Sequence, residues 1–335
     1  MNSQIIFKSA FAPYFDSFLE MKGSLGFGTG NIKCLFRELD RFFLENGIAD
    51  VHVRKEQIRA WQATRVNDHK KTLYHKFSIL RQFCRYLVHL GKECYIPGLP
   101  KNVKSDFVPF IFTREQIKLI FETGDKLVMS ERYTKDCIIF AIPALLRFLY
   151  STGVRINEAI HVKNEDVDLI LKRIVLKKTK NQMQRLIPVN PSLFTVLKQY
   201  EEYRNKMPLS GTSEPDRFFF ISSTGKPLSG YSVLRWFRKI VKDCRIQNSH
   251  AVRIHDIRHT FAVHSLVKMI DGGMDAYCSL PVLSIFLGHK KVESTEYYLR
   301  LTQEMYPDVV KIEHSLTSSV FPEINPKTEI DYENN

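Results

Sequence analysis

The sequence predicts a mainly helical protein in two domains, with one small antiparallel sheet confined to the second. Three observations carry that prediction. Apolar residues recur at helical spacing along most of the chain, and a cluster of breakers (Pro97, Gly98, Pro100) interrupts them near the end of the first third. Two short runs, residues 173–178 and 184–189, flank a polar turn as the strands of a β-hairpin do. The 335 residues, 44% hydrophobic and 25% charged, provide for one large core and one small one.

Residues 1–30 end in Gly23, Gly26, Gly28 and Gly30. No strand precedes these glycines and their spacing is not that of a dinucleotide or P-loop fingerprint, so the patch reads as a flexible loop. Ile32, Leu35, Phe36, Leu39, Phe42 and Phe43 mark one helix, Leu73, Phe77, Leu80, Phe83, Tyr86 and Leu87 another, and residues 55–66 a third. Together they make an all-helical domain over residues 1–100. Its polar faces are basic: up to Ser105 there are 17 Lys and Arg against 9 Asp and Glu, a balance of +8. Lys70, Lys71 and Lys76 stand out as phosphate-facing candidates.

Residues 101–112 read as a linker, extended over 102–109. The second domain, residues 113–315, opens on Thr113 with Gln116 three residues on, a capping box for a helix over 114–122. A helix over 136–150, apolar nearly all round, reads as the centre of the core and ends at Ser151, Thr152 and Gly153. A short helix over 157–162, the hairpin with its turn at 181–183, and helices over 191–206 and 229–244 follow, with a strand at 217–222 between the last two. Residues 267–280, which include Gly272 and Gly273, read as an inserted loop. Residues 316–335 carry Glu323, Glu329, Asp331 and Glu333 against Lys327 alone and read as a mobile acidic tail.

The balance of 49 Lys and Arg against 36 Asp and Glu, +13 overall, points to a polyanionic partner. Nucleic acid fits best, because no basic amphipathic anchor or lipidation motif marks a membrane surface. The longest apolar run, residues 137–146, stops at Arg147 well short of a membrane span. The first residues lack the basic start and apolar core of a signal peptide, and six scattered cysteines indicate neither a zinc ribbon nor a disulfide framework. A cytoplasmic, soluble protein is expected.

The chemistry gathers between His255 and Leu301. His255 and Arg258, at i and i+3, share one helix face. His289 follows Leu287 and Gly288 at a turn after a short apolar helix, and Tyr298 comes nine residues later. Arg155 stands just behind the Gly153 cap, and Lys180 near the hairpin turn. Guanidinium forks phosphate oxygens bidentately and a tyrosine can attack phosphorus, so this set suits a phosphodiester. A zinc-protease reading of His255 and His259 fails, since the acid between them is Asp256 rather than glutamate and no third ligand is evident. His259 and His264 read as structural, and Tyr297 as a packed bystander.

The stretches STGVRINEA, HDIRHTF and LGHKKVESTEYY, in that order and with a lysine hairpin between the first two, resemble the catalytic boxes of the tyrosine recombinases, the phage integrase family. The likeness spans about residues 110–305, and residues 267–280 with the following Tyr-Leu-Arg-Leu-Thr run resemble the branch carried by transposons and other mobile elements. The resemblance implies a helical core-binding domain and a mixed catalytic domain gripping double-stranded DNA as a clamp. It also implies a homo-tetramer on synapsed sites, with other element-encoded recombinases as candidate partners.

By the same resemblance, Arg155 and Arg258 hold the scissile phosphate, with His255 and His289 completing the cage. His255 also assists deprotonation of the phenol, surrounding positive charge lowers the phenol's pKa, and Tyr298 is the nucleophile. A lysine protonates the leaving 5′ oxygen: Lys180 by its distance from Pro188, or Lys178 if the hairpin is longer. No cofactor and no metal are implied. Two other functions share the sequence features: a DNA-binding accessory recombinase and a type IB topoisomerase-like enzyme.

Overall fold

The computed structural model describes residues 6–101, 108–128, 137–177, 184–246, 252–289 and 293–305. It is mainly helical with one small antiparallel sheet, and divides into two compact units, Met1–Phe107 and Val108–Asn335.

The first unit holds α1 (Ala12–Ser24), α2 (Gly30–Glu45), α3 (Lys55–Ala63) and α4 (Lys70–His89). Its core is built of phenylalanine. The Phe15 ring lies 4.3 Å from Phe36 and 5.0 Å from Phe83, and all three are buried. Helix α1, which the sequence reading did not place, narrows the expected glycine loop to residues 25–29. Phe11, Phe15, Phe18 and Leu19 put one face of α1 into the core, Gly23 lies inside the helix and Gly30 opens the next, leaving only residues 25–29 between. Lys76 is also corrected: its ammonium is tied to Glu38 at 2.7 Å and Asp68 at 2.9 Å, whereas Lys70 and Lys71 are exposed.

The second unit begins with α5 (Arg114–Asp125), whose Thr113 hydroxyl accepts from the Gln116 N–H while the Gln116 side chain accepts from the Thr113 N–H. The central helix α6 (Ile142–Thr152) starts later than its apolar run predicts, because Pro143 favours a first turn and residues 139–141 form a single 3-10 turn instead. Leu145, Leu146 and Phe148 on α6 have no exposure, and Gly153 ends it at φ 59°. After α7 (Ile156–Ala159), strands β1 (Val167–Asp168), β2 (Arg173–Leu176) and β3 (Arg185–Pro188) form the sheet, Ile174 opposite Ile187 with both side chains in the core. The predicted hairpin is there, but its turn lies outside the described residues.

Helices α8 (Pro191–Asn205) and α9 (Gly230–Asp243) follow as predicted. The strand expected at 217–222 is replaced by two isolated bridges, Lys163 with Phe218 and Ile221 with Pro227. Phe219 and Phe220 are both buried there, so this is core-filling irregular chain rather than alternating strand. Helices α10 (His255–Asp271), α11 (Ala276–Leu287) and α12 (Glu293–Met305) close the unit over a shared core including Val263, Leu266, Leu283 and Leu287. Residues 267–280 are therefore no inserted loop. All but 272–275 are helical, with Val267, Ile270, Ala276 and Leu280 buried. Residues 306–335, including the predicted tail, lie outside the described residues. Among the described residues no helix is long and apolar enough to cross a membrane.

Candidate active site

Two left-handed glycines and one helix face assemble the site. Gly153 turns the chain off α6 so that Arg155 sits at the mouth of α7, and Gly288, at φ 66°, turns it off α11 so that His289 leaves the core. Between them runs α10, presenting His255, Arg258 and His259. Helix α12 brings Tyr298 onto the same place, its side chain only 3% exposed.

Arg258 is the hub. Its guanidinium donates to the Gly153 carbonyl at 2.7 Å, to the Leu287 carbonyl at 2.8 Å and to His289 Nε2 at 3.0 Å. The ends of α6 and α11 are thus tied through one side chain, which satisfies carbonyls that helix ends leave unpaired. Burial, and then the charge of Arg155, push Arg258 down to about 10. Since His289 Nε2 accepts from Arg258, its proton sits on Nδ1, which donates to Thr295 Oγ1 at 2.8 Å.

The other imidazoles are likewise neutral near pH 7. Burial first, then Arg258 and neighbouring cations, push His255 and His289 down to about 4. For the phenol the outcome differs from the expectation of a lowered pKa. Arg258 and Arg155 do pull Tyr298 down, but burial outweighs them and the net shift is upward.

Three residues that sequence reasoning did not place belong to this cluster. The Glu158 carboxylate, 4% exposed, accepts from Arg155 Nη1 at 2.9 Å, from the Arg155 N–H at 3.0 Å and from Arg185 Nη2 at 2.7 Å. Burial pushes that carboxyl up, but the hydrogen bond from Arg185 and those from Arg155 override it and hold the pKa below the usual range. Arg185, on β3, lies over Gly288, where a Cβ would come within 2.7 Å of its Nη1. His259 Nδ1 stands 3.0 Å from the Tyr298 hydroxyl, which corrects its structural reading. The RINEA and RHTF runs carry a weak signal for Glu158 and His259, a charged or polar group one helical turn from an expected site residue. Nothing local marks Arg185.

Of the six predicted residues, Arg155, His255, Arg258, His289 and Tyr298 are brought together. Lys180 and its alternative Lys178 lie outside the described residues. Lys177, the remaining lysine of that hairpin, is engaged by Glu165 at 3.0 Å and Asp166 at 2.8 Å. Tyr297 is partly buried, with its ring under the Arg300 guanidinium.

A family model described as the phage integrase family matches residues 111–305, more than half of the chain. The tyrosine recombinase XerC of Chlamydia caviae is 26% identical over 300 residues, covering 87% of this chain and 86% of that protein. XerC of Bacillus subtilis is 28% identical over 275 residues, with 80% and 83% covered. Among solved structures, the Tn1549 transposon integrase in complex with transposon right end DNA has a TM-score of 0.60 at 16% identity, covering 85% of this chain and 94% of that one, a likeness of fold. A match over residues 111–305, more than half of the chain and enclosing every residue of the cluster around Arg258, means that this chain belongs to the phage integrase family.

Proposed function

We propose that this tyrosine recombinase is the site-specific integrase of a mobile element, and that it cuts and rejoins double-stranded DNA through a 3′-phosphate linked to Tyr298. One observation carries the reading: a buried phenol faces Arg258 and His289 in a cluster whose charge is unbalanced. Arg155, Arg185 and Arg258 converge there with Glu158 as the carboxylate between two of them, while the histidines are neutral. A phosphodiester supplies the missing anion. Arg155 and Arg258 would hold its non-bridging oxygens, where charge builds in the transition state, with donors already fixed by Glu158 and by two backbone carbonyls. His289 orients Arg258, and His255 lines the same face. The leaving 5′ oxygen takes a proton from a lysine of the hairpin, Lys180 or Lys178.

The energy of the broken phosphodiester stays in the phosphotyrosine, so rejoining needs no cofactor. Assembly as a homo-tetramer on two sites completes the proposal. A lambda integrase tetramer bound to a Holliday junction is among the structures of similar fold, with a TM-score of 0.56. The test starts by selecting bound sites from random duplexes, then nicks the recovered site so that the short cleaved fragment diffuses away. A covalent adduct should form with the wild-type chain and with Tyr297→Phe, and vanish in Tyr298→Phe while binding persists. Adduct persisting in Tyr298→Phe, or absent from wild type, would overturn the reading.

A further inference from the structure

We propose that His259 is the proton acceptor for the nucleophile, taking the Tyr298 hydroxyl proton on Nδ1 as the phenol attacks and returning it to the same oxygen on religation. This rests on the phosphotyrosine reading above.

The hydrogen-bond inventory selects His259 among three imidazoles. Arg258, whose charge acts on the phenol, has only donors and can take no proton from it. The phenol's own hydrogen then goes to His259 Nδ1, 3.0 Å away, which makes His259 the tautomer protonated at Nε2. His289 is already committed, Nε2 to Arg258 and Nδ1 to Thr295, and its ring lies flat beside the phenol with centroids 6.1 Å apart. His255 meets the edge of His259 at 4.8 Å between centroids and serves as a wall behind it. The expectation that His255 assists the phenol therefore passes to its neighbour one turn on.

The step balances. The Tyr298 O–H bond breaks toward Nδ1 and the tyrosine oxygen bonds phosphorus. The bond from phosphorus to the 5′ oxygen then breaks, that oxygen taking a proton from the hairpin lysine. Religation runs these in reverse. Burial first, then His255, Arg253, Arg258 and His289 around it, push His259 down to about 3, so it is in its base form at neutral pH but a weak base at rest. A phosphate seated between Arg155 and Arg258 offsets those cations and raises the proton affinity of the imidazole. Deprotonation of the nucleophile is thereby coupled to occupation by DNA.

The test is single-turnover adduct formation on the nicked site, followed from about pH 6 to 10 across the range in which a phenol ionises. His259→Asn keeps an acceptor near the Nδ1 position but no basicity. It should bind DNA normally and form adduct roughly 10² to 10⁴ times more slowly, as expected for loss of a general base. Its rate should climb with pH where the wild-type rate is flat. A substrate with sulfur at the bridging 5′ position, whose leaving group needs no protonation, should leave the defect in place. If His259→Asn does not fold, His259→Ala with added imidazole gives the same reading, rescue supporting the proposal and no rescue opposing it. A His259→Asn rate within about threefold of wild type, or restoration by the sulfur substrate, would overturn the assignment of His259 alone. Absence of adduct from wild type would instead overturn the phosphotyrosine reading on which it rests.

Discussion

Glu158 is the residue whose removal tests the architecture most directly. Its carboxylate is 4% exposed and sits between Arg185 at 2.7 Å and Arg155 at 2.9 Å, so Glu158→Gln preserves shape while removing the charge both guanidiniums face. Breaking a buried pair typically costs 3–5 kcal/mol. Glutamine keeps one acceptor and the Arg155 side chain is 21% exposed, which brings the expected loss to about 3 kcal/mol. Arg185→Gln removes one arm and should cost about 2 kcal/mol, and the double variant should fall short of the sum by at least about 1 kcal/mol, as for residues in contact.

Urea unfolding followed by Trp236 fluorescence in a Trp61→Phe background reads the second unit alone, since Trp61 lies in the core of the first. The same variants should slow adduct formation, because Arg155 loses the carboxylate that orients it. An acid arm follows. Against the pull of burial, Arg185 and Arg155 hold the folded carboxyl below the usual carboxylate range, so its stabilisation is fully present above that range and is lost as pH falls through the folded value. An unchanged urea midpoint in Glu158→Gln, or single-variant costs that add within about 0.3 kcal/mol, would refute the idea that this carboxylate holds the two arginines as a unit.

Other predictions test neighbouring parts of the argument. Lys33, Arg37 and Arg41 form an exposed stripe at i, i+4 and i+8 on α2; neutralising all three should flatten the slope of log affinity against log salt by about 2.7, and an unchanged slope would show a merely solvated face. Gly153→Ala places a methyl on the Phe261 ring in a left-handed backbone conformation and should cost about 3 kcal/mol by thermal unfolding, with a larger loss of adduct rate because the Gly153 carbonyl anchors Arg258. His255, His259 and His289 have folded pKa values of about 4, 3 and 4 against 6.5 unfolded, so the unfolded chain binds the extra protons. Stability should fall as pH drops from 6.5 toward 4, with an uptake of about three protons on unfolding; a flat profile over that window would show these imidazoles already charged in the native state.

What could be read from the sequence was whatever a single element specifies. The amphipathic stripe of α2 and the Thr113 capping box are local instructions that yield their elements with nearly the right bounds, and the turn glycines at 153 and 288 mark where α6 and α11 end. Arg155 and His289 were legible for a related reason, standing just after Gly153 and Gly288, whereas His255, Arg258 and Tyr298 were legible through the family boxes that their stretches resemble. The bounds failed where a second residue competed with the pattern. Pro143 delays α6, and four glycines mask the phenylalanine stripe of α1.

Arg185 was illegible, and Glu158 and His259 only faintly legible, because their meaning lies in pairing between elements. A glutamate on a four-residue helix looks solvated until a strand 27 residues later lays a guanidinium across it. His259 looks like one of two spare histidines until α12, 39 residues on, delivers a phenol to it. The consequence for the chemistry is specific. Arg155 and Arg185 share one carboxylate, and Arg258 is held by backbone carbonyls that carry no formal charge, so the converging guanidiniums are pre-aligned without being neutralised. Fixed, undercompensated donors are what stabilises charge that appears only in a transition state, because no reorganisation is needed when it forms. Structural ion pairs elsewhere in the second unit differ in kind: Arg147 is matched by the two oxygens of Asp125, leaving nothing for a phosphate to complete.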